Sequence, residues 1–334
     1  METTTEIEAR PRFEGSNICT WIGFKHVMYL VEEAVLDYLR RSGLVPRWLY
    51  EEQGLAVEIV DSDVRILHAL HMDDVVRTQV VRQPTGPDGE LVFRTTSHVV
   101  GAEAVKTVTA TVRVLFRSTP DSGTVPAGIV AHTVDRIDRA NGADRPVPAA
   151  ANERGPVAPT TGDAVRLLNG RGSVDPVTDG NAIVWRWRIP YFYCHFSQRL
   201  QHSGYLRIME EVVDLFLAER GISIRTMLDG RRWIPVVPRA RLTILREAHL
   251  EEQIHTVFTV TDIFKSLTYT ARMDCFVRRG ADLVRTATGE ITHGYAVVLD
   301  RRDWRLVPFD ERTLAALRGD DRRPQVHADE GGAS

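Results

Sequence analysis

Two polar residues that could activate water stand ahead of two apolar helical segments, 178 positions apart. Asn17 precedes the first segment and His195 precedes the second. A neutral asparagine side chain can orient a water molecule but cannot take its proton, whereas an imidazole can do both near neutral pH. The pair therefore predicts water-activating chemistry at the start of each helix, with the unit that contains His195 as the stronger catalyst.

The first turn of each helix supplies a second chemical group, because its backbone N–H groups have no partner within the helix. Together with the positive end of the helix dipole, these groups can stabilise the negative charge of a tetrahedral oxyanion. We expect the amides near Phe24 and His202 to point at a substrate carbonyl. The other residues predicted to contact the substrate are Thr20, Gln198, Gln201 and Tyr205.

The composition argues against several other kinds of chemistry. The chain has 42 basic and 45 acidic residues, a formal charge of -3 and no basic stripe, so nucleic acid is not expected as a partner. Three cysteines without metal-ligand spacing predict neither a disulfide framework nor a metal site, and no cofactor is expected. The acidic, polar start and the lack of any long apolar run predict a cytoplasmic protein without a membrane span.

The spacing between Asn17 and His195 belongs to an internal repeat. Residues 28–44, 64–74 and 101–107 match 206–222, 242–252 and 280–286 in the same order, the last pair after one inserted residue. Within the first match, the adjacent glutamates Glu32 and Glu33 fall on Glu210 and Glu211. Three matches at nearly one offset predict a duplicated unit of about 120 residues.

Each repeat predicts a strand, one long helix and then four antiparallel strands, which is an α+β arrangement. Apolar residues at three- and four-residue steps predict a helix from about Gly23 to Ser42, and the second repeat has the same pattern before Gly221. Strands are predicted at 55–68, 74–82, 90–100 and 103–116, and at 233–247, 252–262, 266–278 and 282–299. A helix with a wide apolar face fits the concave side of such an antiparallel sheet.

The aromatic residues mark the domain boundaries. The segment 117–180 has seven prolines, eight glycines and no aromatic residue, so it is predicted to be a linker with one short helix at 162–170. We therefore expect a first unit at 10–116, a second unit at 181–313 and a flexible tail at 314–334.

The segments FEGSNICTWIGFKHVMYL (13–30) and YLRIMEE (205–211) resemble the central helix and preceding loop of the hotdog-fold thioesterase superfamily. The 4-hydroxybenzoyl-CoA type has an aspartate fifteen residues before a helical acid. At that spacing Asn17 precedes Glu32 and His195 precedes Glu210. The first segment is also similar to the F-E-E-T-N start of thioesterases found beside enediyne polyketide synthases.

This resemblance implies two hotdog folds in tandem, each a long central helix wrapped by an antiparallel sheet, packed as an internal pseudo-dimer. It implies hydrolysis of an acyl thioester carried by coenzyme A or an acyl carrier protein, in polyketide or fatty-acyl metabolism. Glu32 and Glu210 would supply a general base from the helices. The apolar faces, with Val27, Val31, Tyr205 and Met209, would line a pocket for a hydrophobic acyl chain.

Other interpretations of these residues stay open at this point. Asn17 could be a helix cap, His195 a core residue among aromatics, and the glutamates solvated helix charges. A double hotdog could also carry out dehydration, hydration or conjugate addition on a carrier-bound acyl group, or bind acyl chains without turnover. The tandem unit could also pair with a second copy of itself as a homodimer.

Overall fold

The computed structural model describes residues 3–139, 147–148, 177–280, 282–301 and 304–320. The predicted helix at 162–170 and most of the predicted tail lie outside these ranges. The side chain of His195 also lies outside the described part, although its backbone is described.

The described residues form five α-helices and fourteen strands. The helices are α1 (Phe24–Arg41), α2 (Pro46–Gln53), α3 (His202–Glu219), α4 (Ile224–Arg231) and α5 (Glu311–Arg318). The strands are β1 (Thr4–Ala9), β2 (Leu55–Ile66), β3 (Val76–Arg82), β4 (Leu91–Val99), β5 (Val105–Ser118), β6 (Thr133–Val134), β7 (Val147–Pro148), β8 (Val177–Asp179), β9 (Ala182–Arg188), β10 (Trp233–Ile244), β11 (Gln253–Phe264), β12 (Thr268–Arg279), β13 (Asp282–Val298) and β14 (Trp304–Val307).

The element boundaries confirm the duplication at the predicted offset. Adding 178 to the first and last residue numbers of α1, α2 and β2 gives the first and last residue numbers of α3, α4 and β10, with no difference at any end. Both long helices end at a glycine in the left-handed region, Gly43 with φ +79° and Gly221 with φ +67°. The short helices α2 and α4 were not predicted from the sequence, because eight residues carry too few turns to show a helical period.

The chain is a tandem hotdog in which one sheet runs through both units. The strand order is β1-β3-β4-β5-β2-β10-β13-β12-β11-β9-β8. The units join where β2 and β10 pair antiparallel, from Arg65 opposite Arg239 to Asp61 opposite Thr243. The predicted internal pseudo-dimer is confirmed, and it covers one edge of each sheet with the other unit.

The two central helices meet about a pseudo-twofold axis. The Nε–H of Arg207 on α3 donates to the hydroxyl of Tyr29 on α1 at 3.3 Å, and these two residues occupy equivalent positions in the repeat. On one side of this contact Lys25 binds Glu210, and on the other side the His202 ring lies against Glu32. Each helix therefore brings a glutamate to the start of the other helix.

The described part of the predicted linker packs on the protein rather than crossing solvent. β6 pairs with the end of β5, and Arg139 donates to the Val60 carbonyl at 3.0 Å. The first sheet also begins earlier than residue 10, because β1 pairs with β3 along its whole length. No helix in the described ranges is long and apolar enough to cross a membrane.

Candidate functional site

A cavity of about 730 Å³ lies at the start of α1, between the two units. One wall is the loop ahead of α1, a second is the C-terminal half of α3, and a third is the first part of β10. Its lining is mainly apolar, with a few polar side chains, as is usual for small-molecule sites. The apolar lining includes Trp21, Ile22, Phe24, Val213, Leu217, Ile224, Val236, Val237 and Trp304.

The prolines of β10 help to open this cavity. The pairing of β10 with β13 shifts between Val236 and Arg239, which leaves Val237 and Pro238 outside the ladder. Pro238 has no N–H to donate, so it fits a break in pairing better than a regular central strand. Pro235, Val236, Val237 and Pro238 all line the cavity.

The loop that carries Asn17 is closed by backbone hydrogen bonds. The N–H of Asn17 donates to the carbonyl of Trp21 at 2.7 Å, and the N–H of Gly23 donates to that of Gly15 at 2.9 Å. Gly23 caps α1, and a Cβ there would lie 3.3 Å from Oδ1 of Asn17. The Asn17 carboxamide thus rests against the start of the helix, at the cavity wall.

The first turn of α1 has two backbone N–H groups without an intrahelical partner, at the same helix start that Asn17 contacts. The N–H groups of His26 and Val27 donate to the carbonyl of Gly23, whereas those of Phe24 and Lys25 precede any intrahelical acceptor. Both residues line the cavity, and no side chain caps this helix end. The helix start can therefore donate hydrogen bonds to an oxygen atom in the cavity.

Glu210 reaches this site from the other unit. It lines the cavity from α3 and forms an ion pair with Lys25, and its side chain is 43% exposed. Asp214, one turn further along α3, and Glu14 also line the cavity. The sequence did not point to Lys25, since its equivalent in the repeat is Ser203 and no pairing pattern linked it to Glu210.

The second helix start, near His202, is filled by a buried polar cluster. Nε2 of His202 and Oγ of Ser62 are 2.7 Å apart, and Nδ1 of His202 lies 3.6 Å from Oε2 of Glu32. The order serine, histidine, carboxylate matches that of a nucleophile, base and orienting acid. However, the void beside these residues is only about 10 Å³, and both His202 and Ser62 are buried. The cluster has no room for a substrate and we assign it a structural role.

A double-mutant cycle is expected to show that role. At the equivalent positions of the repeat stand Phe24 and Ala240. His202→Phe alone leaves the Ser62 hydroxyl buried without its partner and should destabilise the fold by about 1–3 kcal/mol. Adding Ser62→Ala should recover part of this loss, measured by denaturant unfolding. Strictly additive effects of the two substitutions would contradict the pairing.

Charged residues and the segment 137–139 lie around the loop ahead of α3, which carries His195. Four cavity-lining residues, Trp21, His68, Ala69 and Val236, have the equivalents Arg199, Arg246, Glu247 and Glu58. The Nη2 of Arg199 lies 2.6 Å from Oε1 of Glu58, and Arg117 binds Glu247 at 2.7 Å. The N–H of Ile137 also donates to Glu247, at 3.2 Å.

Burial and the arginine contacts shift the pKa values of the two carboxylates of this region, Glu58 and Glu247, in opposite directions. Burial raises the pKa of Glu58 above the ordinary value, and the nearby Arg199 offsets this only in part. Burial also acts to raise the pKa of Glu247, but the hydrogen bonds from Arg117 and Ile137 outweigh it and lower that pKa. In this half of the molecule, buried ion pairs therefore stand at positions equivalent to cavity-lining ones, as in Arg199–Glu58 and Arg117–Glu247.

The predicted site residues fall into three groups. Asn17, Phe24 and Glu210 line the large cavity, while Glu32 and His202 line the small void. The third group lies outside both: Thr20 contacts Nδ1 of His71 at 2.8 Å, the Gln201 amide donates to Ser197, Gln198 is exposed, and Tyr205 is fully buried. The side chain of His195 lies outside the described part of the structure, and its role stays a prediction.

The structure places the residues of the predicted acyl lining away from the large cavity. Val27, Tyr205 and Met209 are buried in the core and do not line the large cavity, and Val31 lines only the small void. These side chains face the concave sheet surface, which each unit fills with its own helix. The cavity instead uses the other flank of α3, with Val213 and Leu217. Among the described residues, no three side chains are grouped so that they could hold a metal ion.

Comparisons with known proteins show the same fold. No family model and no curated protein matches the sequence. A Lactobacillus plantarum protein described as an oleoyl thioesterase is similar in structure, with a TM-score of 0.55 and 10% identity over 92% of this chain and 96% of that one. The 12:0-ACP thioesterase of Umbellularia californica gives a TM-score of 0.55 and 10% identity over 88% and 94%.

A third similar structure is an acyl-ACP thioesterase of Bacteroides thetaiotaomicron, with a TM-score of 0.51 and 10% identity over 87% of this chain and 98% of that one. All three match across both repeats, because a single unit of this chain covers less than half of it. The chain therefore has the double-hotdog fold of these thioesterase structures.

Proposed function

We propose that the protein hydrolyses an acyl thioester in the large cavity, with the start of α1 and Glu210 as the reacting centre. The observation that carries this proposal is the convergence of three groups on one apolar cavity. These are the N–H groups of Phe24 and Lys25, the carboxamide of Asn17 and the carboxylate of Glu210. They come from both units, which explains why the tandem arrangement is needed.

The proposed reaction begins with the carbonyl oxygen of the thioester at the start of α1. Asn17 orients a water molecule, Glu210 takes one of its protons, and the water oxygen forms a bond to the carbonyl carbon. The negative charge moves to the carbonyl oxygen, where the N–H groups of Phe24 and Lys25 stabilise it. The carbonyl then reforms, the carbon–sulfur bond breaks, and the leaving sulfur receives the proton from Glu210.

The cavity supports a hydrophobic acyl group. Most of the residues that line it are apolar, and its volume of about 730 Å³ lies within the range of small-molecule pockets, roughly 300–1,000 Å³. We therefore propose medium or long acyl chains, with slower reaction of acetyl thioesters. Among the described residues, the lining has one cation, Lys25, and it is already paired with Glu210. We therefore expect only weak binding of a pantetheine phosphate.

We propose an acyl carrier protein as the donor, rather than free coenzyme A. Two of the similar structures are named acyl-ACP thioesterases, and the sequence resembles thioesterases of polyketide assembly. A cytoplasmic setting agrees with the three cysteines, which are free thiols. Whether the tandem unit pairs further into a homodimer can be measured by light scattering.

The deciding experiment incubates the purified chain with a panel of acyl-CoA and acyl-carrier-protein thioesters. Free thiol and acyl mass are followed together. Release of thiol with formation of the acid supports hydrolysis. A change of acyl mass by one water, or by an added nucleophile, without thiol release would show the dehydratase, hydratase or conjugate-addition alternative. Binding without either change would show a carrier-binding protein.

Gly23→Ala tests the contact between Asn17 and the helix start. Gly23 has φ -62° and ψ 150°, which alanine adopts freely, but the new Cβ would crowd the Asn17 carboxamide. We expect kcat/KM to fall about tenfold or more, since small misplacements of positioning groups are costly, while the melting temperature stays close to wild type. Asn17→Ala should cause a similar loss.

Gly128→Ala is the matched control, because a Cβ at Gly128 meets nothing within 4 Å. Full turnover in both Gly23→Ala and Asn17→Ala would contradict the proposed role of Asn17. A tenfold loss in His195→Ala, with Asn17→Ala unaffected, would place the reaction at the second loop instead.

A further inference from the structure

Among the polar side chains that line the cavity without a part in the proposed reaction, His293 is the one with both side-chain nitrogens buried and without a hydrogen-bond partner among the described residues. His293 on β13 lines the cavity beside Thr268, Val236 and Val237. The residue is only 5% exposed, and neither of its ring nitrogens has a hydrogen-bond partner among the described residues. Leaving such a group unsatisfied is costly, so a partner from outside the chain is expected.

The position of His293 is held firmly by the sheet. His293 pairs with Tyr269 of β12, and the two rings stack with centroids 5.3 Å apart and planes 10° apart. The break in pairing between Val236 and Arg239 lies next to it on β10. The ring is therefore fixed where the neighbouring strand opens, and it cannot turn away to solvent.

We infer that His293 recognises an oxygen atom on the acyl chain, so that the preferred substrate carries a hydroxyl or ketone group within its apolar chain. A neutral imidazole has one N–H donor and one nitrogen acceptor, which suits a hydroxyl group that both donates and accepts. A carboxylate fits less well, because Lys25, the one cation among the described residues of the lining, is already paired with Glu210. This inference rests on the proposed thioester hydrolysis and specifies its substrate class.

The protonation state of His293 agrees with this assignment. Burial alone lowers its pKa to about 3, so the ring is neutral at any ordinary working pH. The equivalent strand position in the first unit holds Val114 or Leu115, both apolar, since β13 is offset from β5 by 178 or 179 residues. The imidazole is thus present in the second unit only, and the first unit has no equivalent of it.

The test uses straight-chain acyl thioesters of one length, each with a single hydroxyl at a different carbon, and the unsubstituted chain. Wild type should hydrolyse at least one hydroxylated chain with a kcat/KM tenfold or more above that of the unsubstituted chain. In His293→Phe, which keeps a ring to stack on Tyr269, that ratio should fall to about one while the unsubstituted chain is still hydrolysed. His293→Gln, which keeps a donor and an acceptor, should retain part of the preference.

His255→Phe is the control, because His255 is also a buried imidazole of the same sheet but does not line the cavity. It should leave the ratio unchanged. A wild-type ratio of one at every position, or a ratio that survives in His293→Phe, would overturn the inference.

Binding of the free hydroxy acids and of the unsubstituted acid, measured by calorimetry, separates this inference from the proposed reaction. Absence of turnover on every chain would overturn the hydrolysis. Tighter binding of one hydroxylated acid, lost in His293→Phe, would still support the role of His293, and equal binding of all acids would overturn it.

Discussion

Glu210→Gln is expected to lower kcat about 100-fold or more, because the proposed general base is lost while the side chain keeps its size. Glutamine can still contact Lys25 and line the cavity, so KM should change little. The measurement is steady-state hydrolysis of the best acyl thioester in the panel, with thermal unfolding to show that the variant is folded. Loss of kcat with an unchanged KM is the signature of a group that acts in the transition state.

Two matched variants make this prediction specific to one carboxylate. Asp214→Asn changes the acid one turn further along α3, which also lines the cavity. Glu32→Gln changes the equivalent acid of the first repeat, which lies against His202 beside the small void. Both should keep kcat within a few-fold of wild type. A 100-fold loss in Glu32→Gln with full activity in Glu210→Gln would place the reaction in the other half.

The repeat explains how much of the fold could be predicted from the sequence. The matches at an offset of 178 fixed two units, and the helical and strand periods placed both long helices and eight strands within a few residues of their observed bounds. These features depend on local periodicity and on burial of one face. The sequence predicts a strand ahead of each long helix but not its bounds, and for β1 the reason is that its pattern of Thr, Glu and Ile is short and its partner β3 lies far away in sequence.

The asymmetry between the two halves could not be predicted in the same way. Asn17 and Glu210 were selected from the sequence, and both line the cavity. His195 was favoured over Asn17 on chemistry alone, but the sequence does not reveal that ion pairs occupy the region around its loop. That arrangement depends on Arg199 meeting Glu58, and Arg117 meeting Glu247, across large sequence separations.

Arg199→Met is expected to destabilise the fold by about 3–5 kcal/mol, because it leaves the carboxylate of Glu58 buried without its partner. The Arg199 side chain is 11% exposed and that of Glu58 is 5% exposed, and both Nε and Nη2 of Arg199 bind the same carboxylate oxygen. The free energy of unfolding, measured with denaturant, should show this loss. Arg188→Met is the control, since its ion pair with Glu251 is exposed and is expected to contribute less than about 1 kcal/mol.

The stability lost in Arg199→Met should become smaller as the pH is lowered. Burial already raises the pKa of Glu58, and removal of Arg199 removes the main opposing charge. A carboxyl group whose pKa is higher in the folded state binds its proton more tightly there. Its contribution to stability is therefore full below the unfolded pKa and is lost as the pH rises through the folded pKa. The difference from wild type should shrink as the pH is lowered towards the ordinary glutamate pKa, about 4.3.

The double variant Glu58→Leu with Arg199→Met should recover most of the lost stability. It removes both charges and leaves two apolar side chains, which are often as stable as the buried ion pair they replace. This would agree with the cavity half of the molecule, where the equivalent residues Val236 and Trp21 are apolar and line the open space. A double variant as unstable as Arg199→Met alone would mean that Arg199 stabilises the fold by packing, and that the charge of Glu58 is not the cause of the loss.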